Sequence, residues 1–130
     1  MPVPPDELTE IASRLPGLRL LLLHGSRARG EAHSRSDWDL AYVADSSLDP
    51  EELRAALGGH LDTDAVDLAD LETAGALLRY RVARDGVLLF ETKPGTFEAF
   101  RMDAIHTWCD MEPVLTPLYE QALRDLERVR

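Results

Sequence analysis

The sequence predicts an α/β (α+β) fold: about four strands in one sheet, helices over at least one face, and a helical C-terminal third. Three observations carry this. Two apolar runs of strand length, Leu18 to Leu23 and Trp38 to Val43, flank a polar stretch. Two weaker strand-like runs, Asp64 to Leu71 and Val87 to Glu91, alternate with segments whose apolar residues recur at helical spacing. After Pro94-Gly95 only helical periodicity remains.

Each element has a local cause. Pro4-Pro5 followed by Asp6 and Glu7 suits a helix start, because acidic side chains favour the positive end of the helix dipole. Leu8, Ile11, Ala12 and Leu15 then share a face until Pro16-Gly17 ends the helix. Leu18 to Leu23 is almost continuously apolar, as expected of a strand buried on both sides, and it is bounded by Gly25-Ser26. Residues 24 to 37 are polar and read as a loop. Asp49-Pro50-Glu51-Glu52 resembles a capping box with Asp49 as N-cap and Glu52 reaching back, and that helix runs to Gly58-Gly59. Ala74, Leu77, Leu78 and Val82 mark a further helix closed by Asp85-Gly86. In the last third, Phe97, Phe100, Ala104, Ile105 and Trp108 form one apolar stripe. Pro113 marks a kink or break, and Thr116-Pro117 starts a separate helix carrying Leu118, Ala122, Leu126 and Val129.

With 130 residues and no change of character between the halves, the chain reads as one domain over 1–130. The net charge of −10 repels a phosphate backbone, so no direct nucleic-acid binding is expected of the isolated chain. The same charge attracts basic proteins or divalent cations. A single cysteine, Cys109, excludes an internal disulfide and fits a reducing compartment. Neither a signal peptide nor a membrane span is legible, and the expected localisation is cytoplasmic.

The chemistry is concentrated in His24-Gly25-Ser26-Arg27-Ala28-Arg29-Gly30 and Ser36-Asp37-Trp38-Asp39-Leu40. Strand residues two apart project to one side, so Asp37 and Asp39 aim together while Trp38 and Leu40 pack on the other side. Two carboxylates held that close repel unless a cation lies between them, and a hard divalent ion such as Mg²⁺ is commonly held by one or two carboxylates plus substrate phosphates. Gly25-Ser26, directly after a strand, offers exposed N–H groups and a hydroxyl to phosphate, with Arg27 and Arg29 in reach. Neither G-x-x-x-x-G-K-[ST] nor G-x-G-x-x-G occurs. A two-metal site needs a third carboxylate, for which Asp64, Asp67 and Asp70 are candidates. Asp67 is preferred, because Ala65 and Ala69 on its own face leave room for ligands whereas Asp64 and Asp70 share parity with Val66 and Leu68. The histidines His24, His33, His60 and His106 lack metal-ligand spacing and receive no chemistry.

Gly-Ser, ten residues, then Asp-x-Asp at 25, 26, 37 and 39 resembles the signature of the DNA polymerase β nucleotidyltransferase superfamily. Ala65-Val66-Asp67-Leu68-Ala69-Asp70-Leu71, and Leu77-Leu78-Arg79-Tyr80 before Gly86-Val87-Leu88-Leu89-Phe90, are similar to the stand-alone minimal nucleotidyltransferases, the MNT group. The resemblance covers residues 18 to about 110. It implies a palm-like domain on a mixed sheet, followed by a C-terminal helix over about 116–130. It further implies that Asp37 and Asp39 hold Mg²⁺, as two ions, on the phosphates of ATP, that Gly25 and Ser26 contact those phosphates, and that Asp67 completes the metal site and helps activate the attacking hydroxyl. Arg27 and Arg29 would neutralise the leaving charge. MNT proteins of this size resemble the antitoxins of HEPN–MNT pairs, which transfer AMP to a tyrosine of a HEPN ribonuclease toxin. A non-catalytic antitoxin acting by binding, and a small-molecule (for example aminoglycoside) nucleotidyltransferase, are the alternatives. His24 departs from the family, where an aromatic or aliphatic residue is expected before Gly-Ser.

Overall fold

In a computed structural model, residues 5–31 and 37–128 are described. The sequence expectations for Pro4, His33 and Val129 lie outside them. The elements in chain order are α1 (Pro5–Ser13), β1 (Leu18–His24), α2 (Gly25–Ala28), β2 (Trp38–Ala44), α3 (Pro50–Leu61), β3 (Val66–Asp70), α4 (Ala76–Asp85), β4 (Val87–Glu91) and α5 (Thr96–Arg128). This is the mixed α/β architecture expected. The strands form one sheet in the order β3-β2-β1-β4, with β1 antiparallel to both β2 and β4 and β2 parallel to β3. The parallel pair needs a crossover, which α3 supplies.

The apolar run of β1, interrupted only by the exposed Arg19, is explained by burial on both faces. Leu18 and Leu21 join Leu40, Tyr42, Val66 and Leu89 against Leu8 of α1 and Leu53 and Leu57 of α3. Leu20 and Leu22 join Ala41 and Leu71 against Val82 and Ala83 of α4 and Phe100 and Ala104 of α5. A register shift between Leu18 and Leu20 puts Leu18 and Leu21, an odd number of residues apart, into the same cluster. Fully burying a leucine contributes about 1.5–3 kcal/mol, so Leu20, Leu21 and Leu22, all without exposure, are the anchor for both layers.

Three local expectations need correction. The Gly58-Gly59 pair does not end α3; the helix continues to Leu61 and stops at Asp62, which adopts the left-handed conformation, φ 54°, while Thr63 N donates to the Gly58 carbonyl at 3.1 Å. Asp performs there the closing role expected of glycine. Asp49 is the N-cap ahead of Pro50, as expected, with its carboxylate accepting from Glu51 N at 3.0 Å, but the reciprocal bond expected from Glu52 is not found among the described residues. Residues 25–28 are one helical turn rather than loop. Pro113 does not break the last helix and Thr116-Pro117 does not begin one: α5 is continuous across both prolines. An interior proline loses one helix bond and crowds the preceding turn. Here the deprived carbonyls belong to Cys109 and Pro113, both on exposed residues where water can serve them. Thr116 Oγ1 donates to Glu112 Oε1 at 3.3 Å instead of capping. Among the described residues no helix is long and apolar enough to cross a membrane.

Candidate active site

The polar residues singled out from the sequence converge at one end of the sheet, where β1 ends and β2 and β3 begin. Asp39 lies opposite His24 across the antiparallel β1–β2 pair and opposite Asp67 across the parallel β2–β3 pair. Neighbouring residues in register project to the same face, so Asp39 and Asp67 stand side by side. Asp37, two residues ahead of Asp39, is exposed at the strand entrance. All three share the face of Ala41 and Leu71, the side covered by α4 and α5. Asp70 has the other parity and raises the pKa of Tyr42, after the larger effect of burial. The register thus puts Asp67, and not Asp70, directly beside Asp39.

Gly25 makes this possible. It is the first residue of α2, with φ +70°, where an L side chain is strained. A Cβ there would collide with Asp39 Oδ2 and lie 2.9 Å from Asp39 Cγ. The turn and the carboxylate thus occupy adjoining space that any side chain at 25 would fill. Arg29 N donates to the Gly25 carbonyl at 3.2 Å and Glu31 N to the Ser26 carbonyl at 2.9 Å, which fixes the turn behind the carboxylates.

Burial pushes the pKa of Asp39 up; His24 opposes this, Asp67 and Asp37 add to it, and Arg29 opposes it. Asp37 and Asp67 are both close enough for their charge to reach Asp39. Among the described residues no three acidic, imidazole or thiol groups form a finished metal-ligand cluster. What exists among the described residues is a set of oxygen donors, Asp37 and Asp39 with Asp67 of the adjacent strand, whose charges oppose ionisation of Asp39 and which a glycine borders without a side chain. Hard-cation chemistry fits that donor set.

The two arginines separate. Arg27 lies over the Trp38 ring at 4.1 Å, and Trp38 packs with the cluster under α1 and α3, on the opposite face from the carboxylates. Arg29 remains within electrostatic reach of Asp39, hydrogen-bonds Glu31 at 3.1 Å, and helps lower the pKa of Asp85, after the stronger hydrogen bond from Arg84. The sequence had grouped Arg27 with Arg29 by proximity alone. Two neighbours of the carboxylates receive no chemistry from the sequence. His24 faces Asp39 with Nε2 enclosed and without a hydrogen-bond partner among the described residues, and Asp85, at the end of α4, comes within electrostatic reach of Arg29. No spacing signal joins Asp85 to Arg29; the apolar run into His24 could have suggested the former.

A glycine turn beside Asp39, carboxylates in register on two adjacent strands and a mixed four-stranded sheet accompany a nucleotidyltransferase fold. The family model described as polymerase beta, nucleotidyltransferase matches residues 6–95, and the chain belongs to that family. Among curated proteins it is 32% identical over 111 aligned residues to a protein adenylyltransferase MntA of Aphanizomenon flos-aquae, covering 73% of this chain and 74% of the relative. It is 37% identical over 86 residues to the protein adenylyltransferase MntA of Shewanella oneidensis, covering 64% and 61%. Among solved structures, it is similar to a chain of a toxin–antitoxin complex with AMP-PNP: TM-score 0.70, 28% identity, 90% of this chain and 99% of that one. It is also similar to a chain in the complex of tri-AMPylated Shewanella oneidensis HEPN toxin with MNT antitoxin: TM-score 0.61, 27% identity, 88% and 95% covered.

Proposed function

We propose that this chain is the antitoxin of a HEPN–MNT pair, a cytoplasmic enzyme that transfers AMP from ATP to a tyrosine of its HEPN toxin. The observation that carries the reading is the alignment of Asp39 with Asp67 across β2 and β3, beside a glycine whose missing side chain leaves room for the Asp39 carboxylate. The complexes of similar chains with an ATP analogue and with an AMPylated HEPN toxin support the substrate and the acceptor.

Asp37, Asp39 and Asp67 would hold Mg²⁺, and when bound the ions supply charge neutralisation for the phosphates and a more acidic acceptor hydroxyl. Gly25 and Ser26 present backbone N–H groups and the Ser26 hydroxyl to the phosphate oxygens. Asp67 accepts the proton of the attacking tyrosine. The tyrosine oxygen forms a bond to the α-phosphorus, the bridging α–β P–O bond breaks, and pyrophosphate leaves with the electron pair. Arg29, on the carboxylate side, offsets the charge of the leaving group. Arg27 keeps a supporting role through Trp38.

The test is labelling of purified cognate toxin with ATP and Mg²⁺, read by mass spectrometry as added AMP on tyrosine. Asp37→Ala and Asp39→Ala are each expected to reduce labelling at least 100-fold, on the order of one lost transition-state contact or more, with the circular dichroism spectrum unchanged. Labelling that survives both substitutions removes the reading. Full protection of cells from the toxin by the unlabelling Asp39→Ala protein would show neutralisation by binding instead.

A further inference from the structure

We infer that the outer half of α5 is the docking element for the toxin, a surface separate from the carboxylate site; this rests on the function proposed above. One apolar stripe runs the length of the helix in steps of three and four residues or their sums. Its inner part, Phe100, Ala104 and Trp108, packs on the sheet and α4, with Trp108 stacked on Tyr80 at 5.4 Å. The stripe does not stop where the covering layer stops. It continues through Met111, Leu118 and Leu126, which are 40%, 60% and 66% exposed. Beyond Trp108, the side-chain hydrogen bonds found among the described residues stay within the helix, such as Gln121 to Asp125 at 2.8 Å. A helix gains most of its stability by packing an apolar face, so a helix roughly 30 Å long beyond Trp108 with that face bare is built to be covered.

Three observations select the toxin as the occupant. The catalytic-family match ends at residue 95, before α5 begins, so this helix is not part of what the family shares for chemistry. The chain crystallised in the toxin–antitoxin complex with AMP-PNP matches 90% of this one. With 130 residues, that match reaches about residue 117 or beyond wherever it starts, well into the outer half. Finally, residues 110–128 carry five acids (Asp110, Glu112, Glu120, Asp125, Glu127) against two bases (Arg124, Arg128). Two copies of this helix would set acid beside acid, whereas a partner helix with a basic margin is complementary.

The double variant Leu118→Glu with Leu126→Glu tests this in the full chain with the cognate toxin. Both positions are exposed, so the melting temperature and Mg²⁺-ATP binding by calorimetry are expected to match the parent. Affinity for toxin is expected to fall roughly 100-fold or more, as for loss of an apolar hot spot. In labelling, KM for toxin rises while kcat stays within about two-fold, the signature of lost docking rather than lost chemistry. A variant that binds toxin as tightly as the parent overturns the inference. So does a parent that is dimeric alone, is made monomeric by the variant, and keeps its toxin affinity, because the occupant is then a second copy. A parent that neither binds nor labels the toxin overturns the proposed function as well, which separates the two failures.

Discussion

Strand β2 has two faces, and they obey opposite rules. Trp38, Leu40 and Tyr42 point into the layer under α1 and α3, where Leu40 has no exposure and Tyr42 almost none. Asp37 and Asp39, alternating with them, gather like charge beside Asp67 and a glycine turn that no side chain could replace without strain. The first face gains free energy from burial, and the second gives some up. The difference teaches that the fold is held by one half of each residue pair so that the other half can be held where it is unfavourable by itself.

The comparison breaks most visibly at Leu40. Leu40→Ala removes a fully buried side chain and should destabilise by about 2–5 kcal/mol, measured by urea unfolding. Activity at low temperature should persist in the fraction that remains folded, because the carboxylate face is untouched. A loss below about 1 kcal/mol would mean that the layer can collapse around the gap.

Gly25→Ala sits between the faces. The left-handed backbone costs an L residue roughly 1–2 kcal/mol, and the new Cβ must displace the Asp39 carboxylate. Stability should drop by about that amount while AMP transfer falls far more. Equal and modest losses in both would show that the turn and Asp39 move independently.

Asp39→Asn sharpens the contrast most, though its stability effect is the smallest. The carboxyl of Asp39 has a raised pKa, chiefly through burial, so while protonated at low pH it costs the folded state nothing. Stability then falls as pH climbs from the ordinary carboxylate value through the raised one. Asparagine cannot ionise, so the variant without metal should melt slightly higher than the parent at neutral pH, and the gap should close on acidification. Under the proposed function, Mg²⁺-ATP uptake by the parent is expected to run the other way: it would need the carboxylate, and its acid-side loss should begin at a higher pH than for an ordinary aspartate. Identical melting curves at neutral pH would deny that burying the Asp39 charge costs the fold anything.

The sequence by itself determined the parts governed by short spacing. Period-two alternation separated Asp37 and Asp39 from Trp38 and Leu40, the same parity preferred Asp67, and Val87 to Glu91 was legible to the residue because Asp85-Gly86 and Pro94-Gly95 bracket it. Its errors arose where local rules yield to surroundings. Pro113 reads as a helix break, yet an exposed helix can hydrate the carbonyls it orphans. Gly58-Gly59 reads as an end, yet the buried Leu53 and Leu57 belong to a helix that continues to Leu61 before Asp62 turns the chain. Only the tertiary structure could decide what depends on residues far apart in the chain: that Asp67 lands opposite Asp39, that Arg27 goes to Trp38 while Arg29 stays with the acids, and that the apolar stripe of α5 outruns the body meant to cover it. Strand register and layer size are set by the packing of the whole chain, and no short stretch of residues contains them.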